Sequence, residues 1–256
     1  MDFLKIFKDA EKVHRTYIPS DASFIALRLD GKAFHTYTRG LQRPFDSLFM
    51  EAMDETTSIL CREVSGTVLG YTQSDEISLF LSVKKNENTQ PWLGGAIQKI
   101  VSVSAAIATA NFNAIRTRQG FGDTLAYFDS RIMSFASVED IDDYCAWRRA
   151  DAIKNSTSMA ADVHFSPKQL ELKNSEERRE MLASLGSPWD ELPAGFRYGR
   201  FTMRERFKEP ISFVNRKTGE ASTVQATRTR WVQESAENGF QEEFIHNYKK
   251  EDAYAD

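Results

Sequence analysis

The sequence is poor in cysteine and proline, with two cysteines and seven prolines among 256 residues. Neither Cys61 nor Cys145 has a second cysteine or a histidine at metal-ligand spacing, which excludes a disulfide framework and a zinc knuckle. We expect both to be reduced core residues, because free cysteines are usually buried. No internal repeat and no linker rich in proline, glycine or serine divides the chain, which excludes a repeat array.

Long apolar runs and an excess of positive charge are also absent. The apolar runs fall short of the roughly 18 to 20 residues that a membrane span needs, and Lys5 and Lys8 interrupt the N-terminal apolar residues, unlike a signal-peptide core. We therefore predict a cytoplasmic protein with no membrane partner. The formal net charge is −4, from 33 Lys and Arg against 37 Asp and Glu, so any polyanion must be met by a local basic patch.

The apolar patterns that are present follow the order strand, helix, strand, strand, helix, strand. The predicted elements are a strand over 24–29, a helix from about 47 to 66 with Asp46 as N-cap, strands over 67–71 and 77–83 around a hairpin at 72–76, a helix from 92 to about 118, and a strand over 125–135 with a break at 129–131. This order predicts an α+β fold, a ferredoxin-like unit with an antiparallel sheet and helices on one face.

The rest of the chain is predicted to be an extension packed on that unit. We assign residues 1–136 to the core and 137–256 to the extension, which contains a long helix or helix pair over 138–164, a short helix over 176–185 and a β-hairpin within 196–230. The tail from about residue 234 is acidic, and we expect it to be frayed.

Two carboxylates follow neighbouring strands of this predicted sheet. In a ferredoxin-like topology the end of the first strand lies beside the turn between the second and third, so Asp30 and Asp75 should meet at one edge, with Glu76 next to them. Carboxylates beside the Gly31 carbonyl suit hard cations that keep waters and substrate phosphates in their shells. Two such ions would stabilise the attacking and leaving oxygens of an in-line displacement at phosphorus. The pattern therefore indicates a palm-type nucleotidyl-transfer site, as in polymerases and cyclases.

The same residues also have simpler interpretations. Asp-Gly after a strand is common turn chemistry, and Ser-Asp-Glu in a hairpin is often a solvated loop. Gly31 can serve a turn or allow close approach of a triphosphate. Residues 32–35 can present successive backbone N–H groups to phosphate oxygens, although His35 alone is more often a hydrogen-bonded loop histidine than a catalyst.

Five segments in order carry a resemblance to a known family. They are residues 28–35, 71–78, 98–102, 128–131 and 144–155. Over about residues 24–200 the chain resembles the tRNA-His guanylyltransferase family and the guanylyltransferase-like tRNA repair enzymes. The resemblance implies a 3′-to-5′ polymerase that uses ATP, GTP and other NTPs to extend the 5′ end of tRNA, activated as an adenylate or already a triphosphate. It also implies two Mg²⁺ ions and a homotetramer.

The resemblance carries over residue by residue to the site. Asp30, the Gly31 carbonyl and Asp75 match the metal ligands, and Glu76 is a further catalytic candidate or only a hairpin residue. The matching nucleotide-binding residues are Asp30, Gly31, Lys32, Ala33, Phe34, His35, Ser74 and Asp75, to which we add Arg43, Asp46 and Lys99. Asp46 can instead be only the helix cap, and Lys99 only a snorkelling surface lysine.

A local basic patch is predicted to meet the tRNA acceptor end or a 5′ triphosphate. Its candidates are Arg131, Arg148, Arg149, Lys154 and Asn155. An arginine on a helix is, however, also a common solvated or salt-bridged residue.

The sequence departs from the family at residues 153–159. The eukaryotic enzymes specific for tRNA-His carry His-Ile-Asn-Asn-Leu-Tyr-Asn, whereas this chain has Ile-Lys-Asn-Ser-Thr-Ser-Met, and only Asn155 matches. We therefore favour templated repair of 5′-truncated tRNA over addition of the extra 5′ guanosine to tRNA-His. Two other classes stay open: a nucleotide cyclase, which would use the same carboxylates on a free NTP, and a metal-independent RNA-binding module.

Overall fold

A computed structural model describes residues 5–6, 10, 12–13, 15–83, 90–214, 216 and 219–246. Six strands form one sheet: β1 (Phe24–Gly31), β2 (Thr67–Gln73), β3 (Glu76–Ser82), β4 (Phe128–Phe135), β5 (Arg200–Val214) and β6 (Ala221–Ser235). The helices are α1 (Phe34–Tyr37), α2 (Ser47–Glu63), α3 (Ile97–Arg118), α4 (Val138–His164), α5 (Pro167–Leu170), α6 (Ser175–Ser184), α7 (Ala194–Tyr198) and α8 (Glu243–His246). None of the helices in this part of the chain is long and apolar enough to cross a membrane.

The strand order is β4-β1-β3-β2-β5-β6, and every pairing is antiparallel. The first four strands have the order of a ferredoxin-like unit, which confirms the predicted α+β class. In this register Asp30 on β1 pairs with Glu76 on β3 and with Asp129 on β4. The sheet therefore collects carboxylates from three strands at one end.

Helices cover both faces of the sheet. Successive strand side chains point to opposite faces, and apolar side chains on each face are buried against helices. Leu27 and Leu29 face a core that α2 and α3 complete with Met53 and Phe112. Ala26, on the other face, belongs to a second core completed by α4. The prediction of helices on one face thus holds for α2 and α3, while α4 of the extension packs on the opposite face.

The helix ends follow local sequence rules. Asp46 caps α2, as predicted, and its Oδ1 accepts a hydrogen bond from the backbone N–H of Phe49 at 2.8 Å. The capping box of Ser137 and Asp140 begins α4, which is one continuous helix of 27 residues. Both cysteines are free and buried, which confirms that prediction.

Strand β4 corrects one prediction. The expected break at 129–131 is wrong, since pairing with β1 continues through Asp129 and Arg131 without interruption. Both are on one face of an edge strand, where polar residues do not interrupt the backbone hydrogen bonds.

The extension continues the sheet. Strands β5 and β6 pair along all fifteen residues of each, but only Arg200, Phe201 and Thr202 of β5 pair with β2. The hairpin beyond Met203 is therefore largely exposed. In the acidic tail, Ala236 and Ile245 are buried in the core beneath α4, whereas residues 247–256 lie outside the described part of the chain.

Candidate active site

A cleft of about 520 Å³ opens at the end of the sheet where β1 stops and the β2–β3 turn begins. The segment between β1 and α2 forms one wall, and the C-terminal half of α4 with Phe196 and Arg200 forms the other. Nine predicted site residues line it: Gly31, Ala33, Phe34, His35, Arg43, Asp46, Ser74, Asp75 and Asn155. Its volume suits a nucleotide-sized ligand.

The two predicted carboxylates adjoin this cleft. Asp30 directly precedes Gly31 on β1, and Asp75 is half-buried in the two-residue turn that joins β2 to β3. Burial raises the pKa of the Asp75 carboxyl, and the negative charge of Asp30 raises that pKa further, against the effect of a hydrogen bond from Ser74. The fold therefore holds two mutually repelling carboxylates, Asp75 in the lining of the cleft and Asp30 beside the lining residue Gly31.

Two residues close in sequence to the carboxylates have a strained backbone. Ala33 has φ 56° and Ser74 has φ 47°, the left-handed region that residues with a Cβ seldom adopt. Each such residue costs about 1–3 kcal/mol and persists where the surroundings fix it, typically at functional sites. Both residues line the cleft.

Gly31 is required by its neighbour Phe34. A Cβ at Gly31 would lie 2.6 Å from Cε2 of the Phe34 ring, far inside van der Waals contact. That ring cannot retreat easily, because it packs against the rings of Tyr37, Phe49, Phe112 and Phe128. The glycine thus lets the loop after β1 fold tightly beneath the cleft.

The substitution Gly31→Ala is accordingly expected to lower the free energy of unfolding by about 1–3 kcal/mol, as overpacking does in a dense core. Because the displaced Phe34 ring lines the cleft, the affinity for nucleotide should fall as well. Urea unfolding and ATP titration measure the two effects. Gly40→Ala is the control for ATP affinity alone: its new Cβ meets no atom within 4 Å, but its φ of 92° makes alanine strained there, so its stability should also fall. Equal loss of ATP affinity in both variants would contradict the role of Phe34.

Glu76 and Arg148 form a buried ion pair behind the carboxylates. Nε and Nη2 of Arg148 donate to the two carboxylate oxygens of Glu76, each at 2.7 Å, and Nη2 also reaches Asp151 at 2.9 Å. Burial raises the pKa of Glu76, and Arg148 opposes that rise. Arg149 donates to the backbone carbonyls of Ala236 and Glu237. The structure therefore places both arginines in internal contacts, where the sequence shows only their charge.

The other predicted cations are distributed around the site. Arg131 is half-exposed, with Nη2 3.6 Å from Oδ2 of Asp30. Lys99 and Lys154 are exposed and do not line the cleft, because α3 and α4 turn other residues inward. Lys32 is exposed as well, and its backbone N–H already donates to the carbonyl of Tyr127 at 2.8 Å, so it is not available to a phosphate.

Several residues of the cleft were not predicted from the sequence. Phe45 and Phe196 bring their ring centroids to 5.2 Å and join the two walls, with Met50 and Met159 nearby. Arg200 is held by Asp54 at 2.5 Å and by the carbonyl of Gly195 at 2.9 Å. These contacts join segments far apart in the chain, and no local pattern marks them.

A ferredoxin-like sheet with a cleft at its carboxylate-bearing end is the architecture of palm-type nucleotidyltransferases. Because one fold serves many functions, the class is decided by the comparisons with known proteins. The family model described as tRNAHis guanylyltransferase matches residues 4–136. A protein of Dictyostelium discoideum named probable tRNA(His) guanylyltransferase is 30% identical over 213 residues, covering 77% of this chain and 79% of that protein. The chain therefore belongs to the tRNAHis guanylyltransferase family.

Solved structures support this membership. A bacterial tRNA(His) guanylyltransferase-like protein in complex with ATP has a TM-score of 0.76 and 35% identity, over 78% of this chain and 88% of that one. A bacterial tRNA(His) guanylyltransferase-like protein in complex with GTP has a TM-score of 0.74 and 31% identity, over 92% of both chains.

Proposed function

We propose that this chain is a magnesium-dependent tRNA nucleotidyltransferase that extends the 5′ end of tRNA in the 3′-to-5′ direction, by templated repair of 5′-truncated tRNA. The observation that carries the proposal is that Asp75 lines a nucleotide-sized cleft within range of the charge of Asp30, which directly precedes the lining residue Gly31. The names of the relatives support tRNA as the substrate, and the complexes of the bacterial proteins support the use of ATP and GTP.

The donor set fits a hard divalent cation. Within the described residues no group of three or more His, Cys, Asp and Glu side chains could hold a metal by itself. Two carboxylates with the Gly31 carbonyl would leave positions for water and phosphate oxygens, which is how Mg²⁺ is usually bound. Asp30, Gly31 and Asp75 are thus proposed to hold two Mg²⁺ ions, which would neutralise charge on the reacting phosphates.

The residues of the chain itself would bind and orient the reactants. Ala33, His35 and Ser74 would lie along the phosphates of the nucleotide, and Phe45 and Phe196 would pack against its base. The 3′ hydroxyl of the incoming NTP then attacks the 5′ phosphorus of the tRNA and displaces pyrophosphate or AMP. In such transfers positioning and charge neutralisation supply most of the rate.

The remaining predicted residues are given roles by their contacts. Because Arg148 takes both oxygens of Glu76, we assign Glu76 a positioning role for the end of β3 that carries Asp75. Arg131, which is half-exposed and lies 3.6 Å from Oδ2 of Asp30, is proposed to meet the RNA phosphate. The core over 1–136, the extension over 137–256, a homotetramer and a cytoplasmic location remain part of the proposal, and the match of the family model to 4–136 supports the first boundary.

The function is tested by offering Mg²⁺, ATP and all four NTPs with two labelled substrates: a tRNA lacking its first nucleotide, and an intact tRNA-His lacking the extra guanosine. We expect extension of the truncated tRNA by the nucleotide complementary to the opposite strand. Changing that template base should change the nucleotide added.

The other outcomes distinguish the alternatives. Guanosine added to tRNA-His regardless of pairing would establish the second candidate, which the name of the Dictyostelium relative favours. A cyclic product from NTP alone would establish a cyclase. RNA binding that neither Mg²⁺ nor NTP affects, with no product, would establish a binding module.

A further inference from the structure

Helix α4 presents an exposed indole beside the proposed site and outside the cleft. The side chain of Trp147 is 52% exposed, which is unusual for the largest apolar side chain. Its ring lies 4.4 Å from the guanidinium carbon of Arg148 and 5.8 Å from that of Arg28, and its edge meets Tyr144 at 5.6 Å between centroids. The indole is therefore held in one orientation by Arg148, which lies over its ring, while about half of its surface stays open to a partner.

The same contacts tie the indole to the catalytic end of the sheet. Arg148 is bound to Glu76, which pairs with Asp30 across β1 and β3. Arg28 lies two residues before Asp30 on β1, so both point to the face that α4 covers. One layer of guanidinium groups thus separates Trp147 from the carboxylates.

Trp147 lies on α4 before the part of that helix that lines the cleft, which begins at Ala152. The cleft lies towards β2 and β5, where it is lined by Ser74 and Arg200. Arg28, which contacts the indole, lies on β1 between Ser78 of β3 and Arg131 of the edge strand β4. In the activation step the 5′ phosphate of the RNA would attack the α-phosphorus of ATP, and pyrophosphate would leave on the opposite side of that phosphorus. With ATP in the cleft, the RNA end would enter from outside it, where Trp147 and Arg131 are exposed.

The positive charge of Arg131, outside the cleft, suits the phosphate at the end of an RNA strand. Arg131 is half-exposed; its Nε and Nη2 each lie 3.3 Å from a carboxylate oxygen of the equally exposed Asp129, and Nη2 is 3.6 Å from Asp30. Exposed pairs of this kind are weak, so a phosphate can compete for the guanidinium. An aromatic surface next to such a cation is the usual combination by which proteins hold an unpaired or terminal base.

We infer that Trp147 is the stacking platform for the terminal base pair of the RNA whose 5′ end is extended. The inference rests on the proposed function and adds the residue that sets the position of the RNA end. The base of the incoming nucleotide is the competing occupant, and the experiment below separates the two.

The first experiment compares Trp147→Leu, Trp147→Phe and the wild-type chain in the extension of a 5′-truncated tRNA. We expect Trp147→Leu to raise KM for the RNA about tenfold, the equivalent of one lost base stack. Trp147→Phe should retain most of the affinity. The affinity for ATP, titrated without RNA, should not change in either variant.

Trp231→Leu is the matched control. Trp231 on β6 is also a partly exposed indole beside a guanidinium, with its centroid 4.9 Å from the carbon of Arg204. Its replacement should leave KM for the RNA unchanged. An unchanged KM in Trp147→Leu would overturn the inference, and so would an equal loss of ATP affinity, which would assign the indole to the nucleotide or to the fold.

Tryptophan fluorescence supplies a readout that does not need turnover. Stacking on a base should quench part of the wild-type emission when tRNA is added, and Trp147→Phe should lose that quench while Trp231→Phe keeps it. If all three proteins quench alike, Trp147 is not the platform. A wild-type chain that extends no RNA would instead refute the proposed function, and the quench would still test the stacking.

Discussion

Asp75→Asn is expected to lower nucleotide transfer at least about 100-fold, the usual loss when one electrostatic stabiliser of a transition state is removed. Asparagine keeps the volume of the side chain but removes the charge that a divalent cation requires. Rates of tRNA extension at saturating Mg²⁺ measure the effect. Asp30→Asn should behave in the same way, because both carboxylates adjoin the same end of the cleft.

The same substitution should leave the fold as stable as the wild type or more stable. The pKa of Asp75 is raised in the folded chain, chiefly by burial and then by the charge of Asp30. A raised pKa means that the contribution of this group to stability is lost as the pH rises through that pKa. At pH 7 without divalent cations, Asp75→Asn therefore removes an unfavourable charge, and its Tm should equal or exceed that of the wild type.

Added Mg²⁺ should make the Tm of the wild type higher than that of Asp75→Asn. It should raise the Tm of the wild type, because a ligand that binds only the folded state stabilises it, and it should leave Asp75→Asn unchanged. Asp129→Asn is the matched control, a carboxylate on the next strand that is engaged with Arg131. An active Asp75→Asn, or a loss of the Mg²⁺ shift in Asp129→Asn as well, would refute the assigned ligands.

The carboxylate pair could be predicted from the sequence because it depends only on topology. Once the order of strands is known, the end of β1 and the β2–β3 turn must be neighbours, and Asp30 and Asp75 occupy those two positions. Asp46 as a helix cap is equally local, since the bond it makes spans three residues. Such features need no knowledge of distant contacts.

The partners of charged residues could not be predicted in this way. Arg148 was expected at the substrate because an arginine in the sequence shows its charge and not its ion pair, and its partner Glu76 is 72 residues away. The Phe45–Phe196 contact across the cleft could not be predicted for the same reason: in the sequence each phenylalanine is an ordinary apolar residue, and nothing shows its partner. Lys99 is exposed because only one face of α3 is buried, and a lysine in the sequence does not show which face it takes.

Arg148→Met is expected to lower the free energy of unfolding at pH 8 by about 3–5 kcal/mol, because it leaves the buried Glu76 without its bidentate partner. Arg28, 4.0 Å away, is too distant to replace those two hydrogen bonds. The effect should shrink as the pH falls. Burial already raises the pKa of Glu76, and without Arg148 the pKa rises further, so protonation removes the unpaired charge at higher pH.

Urea unfolding at pH 5 and pH 8 measures this dependence. Arg149→Met is the control, a neighbouring arginine whose partners are backbone carbonyls, and its cost should not vary with pH. The double variant Glu76→Gln with Arg148→Met should regain much of the lost stability, because no charge is left unpaired. A cost of Arg148→Met that is equal at both pH values would contradict the ion-pair account.

The double variant also decides what Glu76 does in the reaction. If Glu76 only positions the end of β3, a neutral pair that restores the fold should restore part of the activity as well. If its carboxylate binds a cation or a substrate, activity should stay lost while stability returns. The geometry favours the first outcome, because both carboxylate oxygens are hydrogen-bonded to one guanidinium and Asp75, one residue earlier, is the carboxylate that faces the cleft.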